Sequence, residues 1–219
     1  CFKLGIDFDE DAYSLGLLGG YEYRTALLRF SYSSMATPER VAACFQAMQD
    51  SVSIPVTIKS RIGIDDLDSY EHFRDFIGTL YSAGCRTFIV HARKAILSGL
   101  SPKDNREIPP LKYAFVYQVQ KEYADAVFIL NGGIKTAEQA VDELGRVSGI
   151  MMGRAIYQNP FLLAEIESRV YTTALPDRQA IIEQYRGYMA DQLSQGARLK
   201  HMTRHLLGLY LGQPGARAY

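Results

Sequence analysis

The chain has 219 residues, 47% of them hydrophobic, with 24 lysines and arginines balanced by 24 aspartates and glutamates. That length suits one sizeable α/β domain with a small appendage, and the even balance gives no bulk basicity to announce a nucleic-acid partner. No apolar run reaches bilayer length, no basic-then-apolar leader opens the chain, and Cys1, Cys44 and Cys85 have neither metal-ligand spacing nor an even count. These features predict a reduced, cytoplasmic protein without a membrane span or a metal site.

Residues 1–34 are rich in Gly, Leu, Tyr and Phe, show weak periodicity and begin with cysteine, so no element is assigned to them. Thr37-Pro38-Glu39 opens a helix: an N-cap hydroxyl, a proline in the first turn and an acid near the positive end of the dipole. Val41, Cys44, Phe45 and Met48 then recur at helical spacing. Ile54–Lys59 reads as a strand. Ser69 caps a helix with Phe73, Phe76, Ile77 and Leu80 on one face, and Gly84 ends it. Thr87–His91 is a second strand, followed by a loop from Ala92 to Leu111 that carries Arg93, Lys94, Lys103 and Arg106 and closes on Pro109-Pro110.

A helix over Lys112–Tyr123 comes next, then the strand Ala126–Asn131, broken by Gly132-Gly133. Thr136 caps a short helix, and Gly149–Gly153 supplies the fourth strand. Continuous apolar strands alternating with helices predict a parallel sheet covered on both faces. Four such units make half of a (β/α)8 barrel or a small doubly wound sheet. Two helices, about 177–194 and 198–211, form a helical appendage whose last stretch, Gly196–Tyr219, holds Arg198, Lys200, Arg204 and Arg217 without an acid, whereas Asp7, Asp9, Glu10 and Asp11 crowd the start. Either cluster can be a solvated face.

Chemistry in parallel barrels gathers where strands end. Lys59 there either snorkels out of the core or stands as a fixed cation, and His91 is either a satisfied core residue or a site residue. Asn131-Gly132-Gly133 lets the backbone approach a ligand closely, or simply makes a tight turn. Gly153-Arg154 places a glycine, an arginine fork and a helix start together, which suits a phosphate. A lysine, a histidine, a diglycine and a Gly-Arg pair fit a phosphorylated flavin lying across strand ends.

Several segments together resemble the tRNA-dihydrouridine synthases, specifically the bacterial A subgroup: Val56-Thr-Ile-Lys-Ser-Arg-Ile-Gly63, Val90-His-Ala-Arg-Lys94, Asn105-Arg-Glu-Ile-Pro-Pro110, Asn131-Gly-Gly133 and Gly149-Ile-Met-Met-Gly-Arg154. The resemblance runs from about residue 35 to the C-terminus and does not extend to residues 1–34. It implies a barrel over 35–170 that binds FMN, followed by a helical tRNA-binding domain over 171–219. The implied reaction is reduction of uridine to 5,6-dihydrouridine in the tRNA D-loop, at positions 20 and 20a, with NADPH reducing the flavin of a monomeric enzyme.

By the same resemblance Lys59 and His91 contact flavin, and Asn131, Gly132, Gly133, Gly153 and Arg154 hold its phosphate. Arg61, Arg93, Lys94 and Arg204 face the RNA. The family's catalytic cysteine loop, which should precede the helix at Thr37, is not found. The chain is therefore expected to be an incomplete enzyme with little turnover. The alternatives are a non-catalytic RNA-binding remnant and a phosphate-binding barrel acting on a small metabolite.

Overall fold

The computed structural model describes residues 26–28 and 32–216. Its sheet has five parallel strands, β1 (Ala26–Leu28), β2 (Val56–Arg61), β3 (Thr87–His91), β4 (Val127–Asn131) and β5 (Gly149–Met151), side by side in chain order. Between them run α1 (Pro38–Ser51), α2 (Tyr70–Ser82), α3 (Tyr113–Glu122) and α4 (Ala137–Leu144). This is the α/β class expected, a succession of parallel strand–helix units of the (β/α)8 type. It has one strand more than the sequence suggested: β1 lies in the stretch that pattern left unassigned, and three residues are too few for a period to declare itself.

Alternation along the strands separates two faces. Phe88, Val90, Phe128 and Leu130 share one face and are wholly buried, with the Phe88 and Phe128 rings stacked at 5.2 Å between centroids. Burial of each phenylalanine stabilises the sheet by about 1.5–3 kcal/mol. α1 packs on β2 and α3 on β4, and the predicted α2 face of Phe73, Phe76, Ile77 and Leu80 is buried throughout. The opposite face carries Thr57, Lys59 and Arg61 of β2, Ile89 and His91 of β3, and Ile129 and Asn131 of β4.

Side-chain caps open three of the eight described α-helices: α2, α4 and the one at Arg178–Ser194. Ser69 accepts from His72 N–H at 3.1 Å and Thr136 from Gln139 N–H at 3.2 Å. Thr37 does not cap α1: its hydroxyl donates back to Ser34 O at 3.3 Å, so Pro38 at the first turn marks that start instead. Gly84 follows α2 at φ +104°.

Two compact units divide the described residues: 26–28, 32–133 and 143–151 in the first, 134–142 and 152–216 in the second. The second holds α5 (Arg154–Gln158), α6 (Leu162–Tyr171), α7 (Arg178–Ser194) and α8 (Leu199–Thr203). The helix expected to reach Leu211 stops at Thr203, and single turns follow it. Within this unit Tyr185 donates to Met202 O at 3.2 Å and Arg178 Nε to Leu209 O at 3.0 Å, with the Arg178 guanidinium 3.4 Å over the Phe161 ring. No described helix is long and apolar enough to cross a membrane.

Candidate functional site

Strand register assembles the site in the first unit. Arg61 pairs with His91, His91 with Asn131 and Asn131 with Met151, so these four form one row across the carboxyl ends of β2 to β5. Lys59 pairs with Ile89 one pleat back on the same face. Strand rise and spacing put the Lys59 and His91 backbones roughly 8 Å apart. Lys59 is half-buried and His91 is buried.

Two glycines close this row. Gly132 and Gly133 stand at φ +108° and +78°, in the left-handed region that side chains resist. A Cβ on Gly132 would lie 2.5 Å from His91 Cδ2, and one on Gly133 would strike Leu111 Cδ1. Among the described residues no backbone carbonyl accepts the N–H of either glycine. The diglycine is therefore a close approach against the histidine, with two adjacent amides available to an anion. Asn131 Nδ2 donates to Met151 O at 2.9 Å and Asn131 O accepts from Ala92 N–H at 3.0 Å, locking β4 to both neighbours.

The loop after His91 is a built structure held by its own polar contacts. Arg61, expected to face RNA, is only 3% exposed. Its Nη1 donates to Lys94 O at 3.2 Å and Asn105 O at 2.9 Å. A guanidinium held by loop carbonyls organises the loop. Asn105, also buried, accepts from Ile96 N–H at 2.8 Å and donates to Ile96 O at 2.7 Å. Arg93 donates to Pro109 O.

Lys94 reaches Asp65 O at 2.9 Å and the Asp68 carboxylate at 3.3 Å, and Lys112 reaches the same carboxylate at 3.0 Å. Burial opposes ionisation of Asp68, but hydrogen bonds and charge attraction from Lys112 and Lys94 outweigh it and hold the carboxyl below its ordinary value. The sequence pattern assigns no role to Asp68 or Lys112, and marks Asn105 only as the start of one of the family-like segments. The one available signal was a pair of lysines bracketing a long loop with acids just before the Ser69 cap.

Gly153 and Arg154 open α5 in the second unit, with Gly153 at φ −119° and Arg154 exposed. Arg204 is exposed just after α8. Cys44 is half-buried on α1, less enclosed than its helical spacing implied. Cys85 is fully buried and precedes β3, at the end of the sheet opposite His91; its thiol donates to Thr87 O at 3.4 Å, and burial pushes it up to about 11. Cys1 lies outside the described residues, as does Arg217. Among the described residues no group of three His, Cys, Asp or Glu side chains could hold a metal ion.

The family model "Dihydrouridine synthase (Dus)" matches residues 33–219. The chain belongs to the dihydrouridine synthase family. A tRNA-dihydrouridine(20/20a) synthase of Pseudomonas syringae pv. tomato is 49% identical over 84% of this chain and 56% of its own length. Those of Shewanella oneidensis and Vibrio vulnificus are 47% and 45% identical, each over 100% of this chain and over 66% and 68% of their own lengths. The last two alignments cross residues 1–34, where motif reading found no likeness. The chain spans 56% and 66% of the first two relatives.

Proposed function

We propose that the chain serves FMN-dependent reduction of uridine to 5,6-dihydrouridine in the D-loop of tRNA, at positions 20 and 20a, with NADPH as the electron source. Family membership supports the reaction class. The single structural observation behind the cofactor is the row of Arg61, His91 and Asn131 closed by two glycines whose amides carry no described backbone acceptor. A cradle that a Cβ would fill fits a phosphate.

When bound, the flavin supplies hydride to the uracil ring. Gly132 and Gly133 receive its phosphate through their N–H groups, and Asn131 fixes the strand end from which they project. Lys59 places a cation on the same face, where it stabilises negative charge on the electron-rich edge of the ring. His91, packed against the diglycine, is a flavin contact by resemblance. Arg154 is an additional phosphate ligand by resemblance, and the helical segment 171–219, with Arg204, contributes to tRNA binding. A proton donor for the second carbon must come from elsewhere than Cys85, which faces the wrong end of the sheet.

Two measurements test this reading. Flavin titration of the purified chain should give saturable FMN binding that Arg154→Ala weakens; unchanged titration removes Arg154 from the site. Dihydrouridine analysis of unmodified tRNA should give at best slow turnover for the 219-residue chain, because a positioned acid contributes ~10²–10⁴-fold. RNA retention without any flavin binding would favour a non-catalytic RNA-binding protein instead.

A further inference from the structure

Leu111, Lys112 and Tyr113 form a brace across the ends of β3 and β4. Lys112 N–H donates to Ala92 O at 2.8 Å, tying the brace to the residue after His91, while its Nζ is drawn off to Asp68. On either side of Lys112, Leu111 and Tyr113 both reach the diglycine. A Cβ on Gly133 would lie 3.0 Å from the Tyr113 hydroxyl, and that hydroxyl donates to Gly132 O. Burial, with a smaller push from Glu143, lifts the phenol above its ordinary value, so it remains a donor through neutral and mildly alkaline pH.

The peptide between Gly132 and Gly133 is trans, so its carbonyl and N–H point in opposite directions. Pinning the carbonyl toward the phenol aims the Gly133 N–H the other way. Two glycines in succession could otherwise rotate this plane at little cost. We infer that Tyr113 is a positioning residue for phosphate recognition: its hydroxyl, through Gly132 O, fixes the direction in which the Gly133 amide is offered to the flavin phosphate. It rests on the flavin reading above and adds the group that orients the cradle.

Tyr113→Phe removes the hydroxyl and keeps the ring, which packs 6.4 Å from that of Tyr117. Wild-type and variant chains are titrated with FMN and with riboflavin, which lacks the phosphate. Expected is an FMN dissociation constant about five- to tenfold higher, with riboflavin unchanged, because one oriented hydrogen bond is lost. The phosphorus resonance of bound FMN should shift as well. A wild-type chain that prefers FMN, alongside a variant with the same preference, overturns the role of Tyr113 and leaves the flavin reading standing. Equal weakening of both flavins also overturns it, since that is lost packing. A wild-type chain with no preference for FMN overturns the phosphate cradle itself, and Tyr113 falls with it.

Discussion

Arg61 shows how far a residue's surroundings can depart from its type. On sequence it is a cation after a strand; in the fold it is a buried guanidinium joining Lys94 O and Asn105 O. Arg61→Ala leaves those carbonyls short of a donor, and the chain should lose about 2–3 kcal/mol in urea unfolding. Arg61→Lys separates this role from RNA contact. It should lower stability yet leave the salt dependence of tRNA binding unchanged, whereas loss of a phosphate contact would reduce that slope by about one. Cys85 offers a second test. A thiol raised to about 11 is almost wholly protonated at pH 8, so a thiol reagent should label Cys85 only in denaturant. Labelling in the native state at the rate of a free thiol would contradict its burial.

At the scale of elements, the loop between β3 and α3 is the part least legible in the sequence. Its length and its cations were plain, but that Lys94 and Lys112 share Asp68 depends on contacts that no period encodes. β2 shows the same limit: it runs on to Arg61 because Ser60 and Arg61 pair with Val90 and His91, although polar letters there read as a strand already finished. Asp68 makes this loop acid-sensitive. Its folded value lies below the ordinary aspartate value of 3.8, so its contribution is present above that pH and is lost as pH falls through the lowered value. Asp68→Asn should therefore cost about 1 kcal/mol at pH 7, with the difference from wild type vanishing in strong acid. A gap that persists below pH 2 would point to packing instead of charge.

For the whole molecule, the parallel strand–helix order was legible because buried strands are unbroken apolar runs and helices carry their caps and periods. His91 and Asn131, which end strands, and the diglycine, which follows one, were legible for the same reason, whereas Lys59 lies two residues short of the end of β2. The orienting Tyr113 was not legible, since its function passes through a backbone carbonyl. Stability should be distributed as unevenly as burial is. β3 is buried over four of its five residues, whereas α7 has no buried residue in its 17. Hydrogen exchange should be slowest in β3 and far faster in α7; equal protection would refute that ranking.

The side-by-side order of β1 to β5 also bears on how the sheet is made. Every strand's earlier partner is the one immediately before it in the chain, as in Ile58 with Phe88 and Ile129 with Gly149. Synthesis proceeds at ~5–20 residues per second, so a newly emerged strand meets an edge already in place and never waits for a partner still inside the ribosome. Each new strand covers the edge left by the one before it. Nascent chains halted once Asn131 has cleared the ribosome should already protect β2 and β3 against proteolysis, with β4 as the exposed seam.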